Sequence, residues 1–381
     1  MTINIDEEVA NDFAQIFCCK KGCFPIKYLG VPLHYDKLKR EDLQPIIDRI
    51  IKGISGWLGR YLTYRGKIIL LCACLISIPA YLMSVIKFPK WAINAINSQM
   101  AHFFWGNIGD QHKYHLANWG VITRRKEYGG LGIPNIKEFD MALLASWGKR
   151  FFDESDSDWK KIIRYKYRVN APNLLWAKGD GGSTFWKSIT SALPAAKFFY
   201  RWKLGNGELI SFWHDTWVGE CSLKVQFWDL YCICNQTECT VAQVWDGENQ
   251  QLIFRRCVNE DILCSWNELL NMIKSVPFNN MADKPVWSLE SKGLYSIKSM
   301  YKMINWGGMV SIWRDYIWKI KVPPNIHVFL WLIVNNKSVT RDNLAKRQHV
   351  EDLTCVFCCE PESLQHLLFE CVVARQVWLV I

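Results

Sequence analysis

The stretch Cys355-Val-Phe-Cys358, running on through His366 to Cys371, reads C-x2-C-x7-H-x4-C. Two cysteines separated by two residues turn both sulfurs toward one point. A later His and Cys complete four donors, and thiolate plus imidazole in a four-coordinate set is the chemistry of structural zinc. The x4 spacing is expected to place His366 and Cys371 on one face of a helical turn. Leu367, Leu368, Phe369 and Trp378 are the expected apolar cover, and Glu360-Pro361 the turn after the first pair. Cys359 is a spare thiol that would serve in place of Cys358. The bland alternative is a set of buried cysteines beside a surface His; the tight spacing of all four donor types favours the metal.

Working outward, the ligand spacing differs from that of a retroviral nucleic-acid knuckle, whose middle gap is shorter, so the ligands by themselves do not imply RNA binding. The chain has 381 residues, room for two or three domains. Half of them are apolar, which excludes a disordered chain and is enough for real cores. Twenty tryptophans suit cores and interfaces. A formal net charge of +10 is compatible with a nucleic-acid partner without requiring one. Fifteen cysteines in a chain with an acidic N-terminus and no apolar signal segment fit reduced thiols in nucleus or cytosol rather than a secreted disulfide scaffold. From Ile68 to Ile86 no residue is charged, long enough for a bilayer. Pro79 near its middle favours instead two buried helices broken there, and no membrane is expected.

The fold class read from these patterns is mainly α with minor β. Tyr28-Leu-Gly-Val-Pro-Leu33 reads as one short strand. Leu43, Ile46, Ile47, Ile50 and Ile51 follow helical spacing within residues 36 to 52. Thr63 is placed to cap the apolar helix that follows, and a third helix is expected over residues 91 to 105. Gly129-Gly-Leu-Gly132 lacks the Gly-Lys-Ser/Thr ending of a phosphate loop. Residues 159 to 168 alternate basic and aromatic, which suits either a nucleic-acid strand or a plain amphipathic helix. Gly205-Asn-Gly207 signals a hairpin between Trp202 and Ile210-Ser-Phe-Trp213. A second hairpin is expected from residues 285–289 and 293–297. His214-Asp215 has no nucleophile in evident register, and Cys221, Cys232, Cys234 and Cys239 match no common metal spacing.

The order of landmarks resembles non-LTR (LINE-type) retrotransposon reverse transcriptases of the kind abundant in plants, from the region after the polymerase palm onward. The blocks are Tyr28-Leu-Gly-Val-Pro-Leu33, Gly56-Trp57, Tyr64-Arg-Gly-Lys67, Ile78 to Met83, Phe88-Pro89 and Phe103-Phe-Trp-Gly106. Then come Gly129 to Pro134, Gly205-Asn-Gly207 and Phe212 to Trp217. The tail, from Gly293-Leu-Tyr-Ser-Ile-Lys298 through Trp318 to Pro323, Phe329-Leu-Trp331 and the Cys–His set, looks like the zinc-binding domain of those enzymes.

The resemblance implies four segments. Residues 1–35 are a palm remnant, 36–106 a thumb-like helical region, 107–280 a tryptophan-rich connector with short hairpins, and 281–381 a small zinc-binding module. It implies Zn2+ as a structural cofactor held by Cys355, Cys358, His366 and Cys371. It makes Lys37, Lys39, Arg40, Arg60, Arg65 and Lys67 the expected phosphate contacts of the thumb. It implies RNA, an RNA/DNA duplex or other retroelement proteins as partners. The family's polymerase chemistry needs paired aspartates to hold two metal ions, and no two aspartates are adjacent here. The expected role is therefore non-catalytic, with neither endonuclease nor ribonuclease H domain, and a relic protein-interaction module is the rival reading.

Overall fold

The helix starting at Arg40 carries Leu43, Ile47 and Ile50 at intervals of four and three, and these are the residues it buries. Ile51, one step round, stays exposed. In this computed structural model that helix (Arg40–Gly56) packs on the Lys90–Trp105 helix, which buries Ile93, Ile96, Met100 and Phe104. The structure describes all residues except 1–5, 21–25, 34–38, 57–60, 107–113, 154–156, 170–173, 176, 178, 180, 256–259 and 381.

The described chain is mainly α, with two antiparallel strand pairs. It divides into two compact units. One comprises Met1–Leu82, Phe88–Phe139 and Asn305–Ile381; the other, Met83–Lys87 and Asp140–Ile304.

In the first unit, residues 26–33 form a hairpin rather than a single strand. Strand β1 (Ile26–Tyr28) pairs with β2 (Val31–Leu33) across Leu29-Gly30, both at positive φ. That two-residue geometry twists with the strands, and Gly30 is the residue that accommodates it best. Thr63 accepts from the Gly66 amide at 3.2 Å, as its position predicts, and opens a helix that runs from Tyr64 to Met83. By length and composition this helix could cross a membrane, and Ile68, Leu71, Leu75, Leu82 and Met83 are buried within the structure.

The expected break at Pro79 does not occur. A widened turn over Leu71–Leu75, closed by Ile76 N–H to Leu71 O, precedes the proline instead. Ser77 donates to Cys74 O at 2.6 Å there. The widened π turn just before the proline makes room for its ring, and the helix runs on. Further on, Gly130 meets Arg124 O so closely that a Cβ would lie 2.0 Å from it. Trp331 donates its indole N–H to Gly129 O at 2.7 Å. The glycine run is thus a tight backbone crossing beneath a tryptophan.

The second unit absorbs much of the aromatic content. Trp186, Trp287, Tyr200 and Tyr295 share one core, and Trp202, Phe212, Trp213, Trp217 and Trp245 another. The two expected local hairpins give way to a distant pairing. Strand β3 (Tyr200–Lys203) pairs antiparallel with β4 (Lys284–Trp287), with Tyr200 opposite Trp287. Residues 293–297 lead into the Ile297–Ile304 helix instead of returning as a strand. Trp202 N–H goes to Thr216 O, and Gly207 O accepts from Ala242. Pairing β3 with β4 sets two large rings, Tyr200 and Trp287, 4.9 Å apart, more burial than either tight hairpin offers. The basic-aromatic segment is an amphipathic helix, Asp158–Tyr167. It buries Ile163 and the stem of Lys160, whose ammonium donates to Asp153 O, and leaves Tyr165 exposed.

Candidate metal centre

The first pair of donors sits on a short knuckle. Cys355 N–H donates to Glu360 O at 2.6 Å, and Cys359 N–H returns to Cys355 O at 3.0 Å. Thr354 and Pro361 form a bridge at its base, the turn that Glu360-Pro361 announced. Cys359 takes φ +60° and faces solvent, so Cys358 and not Cys359 joins the cluster.

The second pair needs a different device. Five residues advance an α-helix by a full turn plus about 140°, which would point His366 and Cys371 apart. The chain instead makes one π turn, His366–Glu370, closed by Cys371 N–H to His366 O at 2.8 Å. This i to i+5 bond brings the two side chains to one face. Ser363 starts the turn, accepting the His366 amide at 3.1 Å.

The four donor atoms of Cys355, Cys358, His366 and Cys371 all lie within 4.8 Å of one another. Cys358 Sγ is 3.0 Å from His366 Nε2. Cys355, His366 and Cys371 are buried. Three thiols and one imidazole, with no carboxylate among them, suit a borderline-soft cation in a closed tetrahedral site. Four protein ligands would leave no open position for an activated water, so the set fits a structural metal.

Arg341 supports the knuckle from outside and escaped the sequence reading. It donates to Asp352 Oδ2 at 2.8 Å and to Thr354 O, while its amide donates to Glu362 Oε1 at 2.9 Å. The Thr354 hydroxyl and amide, together with Arg341, hold the Asp352 carboxyl down at about 2. An arginine this far before a metal knuckle carries no local signal, because its partners Asp352, Thr354 and Glu362 lie eleven to twenty-one residues away. Phe369 and Trp378, expected as cover, stack on each other at the surface 6.3 Å apart, with Trp378 donating to Leu368 O.

The other sequence candidates scatter. Among the described residues, the four metal-centre side chains are the one group of three or more His, Cys, Asp or Glu gathered closely enough to hold an ion. Cys234 and Cys239 are buried, with Cys239 donating to Gln236 O, and burial pushes the Cys239 thiol up to about 12. Asp215 is buried and accepts from Ser211 N–H, and His214 faces Glu238 at 3.3 Å.

Of the basic residues, Lys37 and Arg60 lie outside the described residues. Lys39 and Arg40 are exposed, with Arg40 over the Trp91 ring at 5.4 Å. Arg65 is half-buried in the first turn of its helix. Lys67 corrects the expectation. Its side chain is buried, and Nζ donates to Phe104 O at 3.2 Å, where the Lys90–Trp105 helix ends in unsatisfied carbonyls. A cation there complements the negative end of the helix dipole. Lys67→Met is expected to cost about 2 kcal/mol of stability in urea unfolding. Unchanged stability in Lys67→Met would mean that the bond to Phe104 O holds nothing and that Lys67 belongs with the surface cations.

A closed three-thiol, one-imidazole site on a knuckle and a π turn defines the class of small structural zinc modules. Its kind follows from comparison. Residues 295–378 match the family of the zinc-binding domain in reverse transcriptase. An Arabidopsis thaliana relative, "Putative ribonuclease H protein At1g65750", is 26% identical over 361 residues, 91% of this chain and 57% of that protein. The chain thus spans little more than half the length of that relative. A second, "Uncharacterized mitochondrial protein AtMg00310" from the same plant, is 24% identical over 143 residues, 37% of this chain and 93% of the relative. The tail of the chain is thus similar to the zinc-binding domain in reverse transcriptase, and the resemblance read from the ordered blocks to the C-terminal region of a retrotransposon reverse transcriptase is supported.

Proposed function

We propose that this chain is a non-catalytic, nucleic-acid-binding portion of a retroelement reverse transcriptase whose zinc module is structural. The observation that carries the reading is the closed Cys355–Cys358–His366–Cys371 cluster inside the matched 295–378 segment. In this reading the four side chains hold Zn2+, which supplies folding energy and no chemistry. Residues 36–106 act as a thumb that grips an RNA or RNA/DNA duplex, and 107–280 connect it to the zinc module. Lys39, Arg40 and Arg65 contact phosphates; Lys67 is withdrawn from that set. With no adjacent aspartates to hold catalytic ions, the chain is not expected to extend a primer on an RNA template.

Fluorescence anisotropy of labelled RNA over a range of salt tests the reading. Three phosphate contacts predict a log–log slope of about −2 to −3. A flat salt response would instead favour a protein-interaction module. The exposed apolar end of the Val372–Val380 helix, with Leu379 86% and Val380 88% accessible, is the observation behind that second reading.

A further inference from the structure

One cavity in the first unit is lined from three distant parts of the sequence, and two of them each supply one positive side chain. Arg65, Ile68, Lys126, Trp318, His327 and Val328 line a space of about 150 Å3. A water occupies about 30 Å3 of liquid, so the space suits one tetrahedral oxyanion with some of its hydration. Among the described residues, the lining holds no carboxylate. The acids on adjoining turns are engaged elsewhere: Glu127 by Arg125 at 2.6 Å, and Asp315 by Arg314 and Lys319, both at 2.8 Å. Among the described residues, neither Arg65 nor Lys126 is paired with a carboxylate. Lys126 Nζ rests 4.3 Å from the centre of the Trp318 ring, a weaker partner than an anion. Trp318 in turn tilts against His327, whose imidazole donates to Ile320 O at 3.0 Å.

We propose that this cavity is a phosphate-oxyanion site, with Arg65 and Lys126 as its two charged arms and Trp318 as its floor. Two like charges facing a half-enclosed space repel each other, and an anion between them converts that repulsion into two charge-assisted hydrogen bonds. The Lys126 ammonium is pushed toward its neutral form first by burial and then by Arg65. Burial raises the half-buried Cys72 thiol nearby, and the two cations, Arg65 and Lys126, offset only part of that rise. The Pro324–Val334 helix begins at the cavity wall, adding the positive end of its peptide dipoles. A phosphodiester of bound nucleic acid and free phosphate share this chemistry. The first source rests on the nucleic-acid reading above; the second does not.

The test uses the whole chain and two probes. Calorimetric titration with sodium phosphate, against sodium chloride of equal ionic strength, reads the pocket directly. It is run on the wild type, on Lys126→Met, which keeps the stem over Trp318, and on Lys126→Arg, which keeps the charge. Phosphate is expected to bind the wild type and Lys126→Arg, and to bind Lys126→Met at least about tenfold more weakly. Equal heats with phosphate and chloride, or equal phosphate affinity in the wild type and Lys126→Met, overturn the proposal. Melting of all three variants separates misfolding from loss of the site.

A single-stranded RNA probe then identifies the source. Competition between RNA and phosphate, lost in Lys126→Met, assigns the pocket to a backbone phosphate. Phosphate binding without RNA binding leaves the pocket standing for free phosphate and defeats the nucleic-acid reading. RNA binding that ignores both phosphate and Lys126→Met leaves the nucleic-acid reading standing and assigns the pocket, where calorimetry shows phosphate in it, to free phosphate.

Discussion

Cys371→Ala is expected to strip one zinc ion from each chain and to unfold the segment around residues 353–372, leaving the tryptophan cores of the other unit folded. The size of the effect follows from how little else holds this segment. The knuckle is closed by a few backbone hydrogen bonds, and its two middle side chains, Val356 and Phe357, are 73% and 66% exposed. Structural zinc in comparable peptides supplies about 10–16 kcal/mol of folding free energy, far more than such a turn gains from burial. A module with three ligands and a gap binds the ion orders of magnitude more weakly. The π turn also loses its reason to stay wound, since its i to i+5 geometry is what delivers Cys371 to His366. Elemental analysis reads the metal, and hydrogen exchange at the amides of Cys355, Cys359 and Cys371 reads the fold. Cys358→Ser should behave as Cys371→Ala does, and Cys359→Ser should keep its metal. Zinc content unchanged in Cys371→Ala, or lost in Cys359→Ser, would show that the ligand set is drawn wrongly.

What the sequence disclosed about this site was its composition, and what it withheld was its geometry. Ligand identity is written in single residues: a thiol or an imidazole at a given spacing has few other uses. The angle between ligands depends on the backbone between them. An x4 gap suits an α turn poorly and a π turn well, and nothing in Leu367-Leu368-Phe369-Glu370 announces which will form. The same distinction runs through the fold. Helices whose apolar residues recur at three and four, as with Leu43, Ile47 and Ile50, are legible because their burial is set by neighbours a few residues away.

Pairings across long stretches are not legible in that way. Trp202 beside Gly205-Asn-Gly207 looks locally like a hairpin arm. Its strand is claimed by residues 284–287 because the aromatic packing available there outweighs a tight turn. Lys67 shows the matching limit for charge. A lysine in a basic cluster reads as surface, yet the unsatisfied carbonyl of Phe104, thirty-seven residues away, draws it inside. The Phe104 carbonyl and the rings of Tyr64 and Phe103, 5.7 and 5.9 Å from Nζ, offset part of the cost of burying its ammonium. Pro79 departs from its sequence reading for a related reason. Whether a proline breaks a helix depends on the turn before it, and here a widened turn over Leu71–Leu75 makes room for the ring.

Asp283→Ala is expected to destabilise the second unit by about 3–5 kcal/mol, since it leaves several buried amides without acceptors. Asp283 is buried, and its carboxylate accepts three backbone N–H groups: Gly205 at 2.7 Å and Gly207 at 3.0 Å on one oxygen, Leu209 at 2.9 Å on the other. The Gly205-Asn-Gly207 signal is thus a concave run of amides, a nest of the kind that binds anions, filled here by the protein's own side chain. The glycines are required for that. A Cβ on Gly205 would lie 2.1 Å from Met281 O, and Gly207 sits at φ +70°. The loop so held carries Leu204 and Ile210 into the core with Phe212 and Trp213, immediately beyond the strand pair that Asp283 adjoins. Alanine removes the acceptor and cannot admit enough water to replace it. The Asp283→Asn variant keeps the shape and one acceptor oxygen, so its loss should be about half as large. Urea unfolding followed by tryptophan fluorescence measures both. A cost below about 1 kcal/mol for Asp283→Ala, ordinary for an exposed substitution, would mean that the loop is held by its side-chain packing and that the carboxylate is incidental to it.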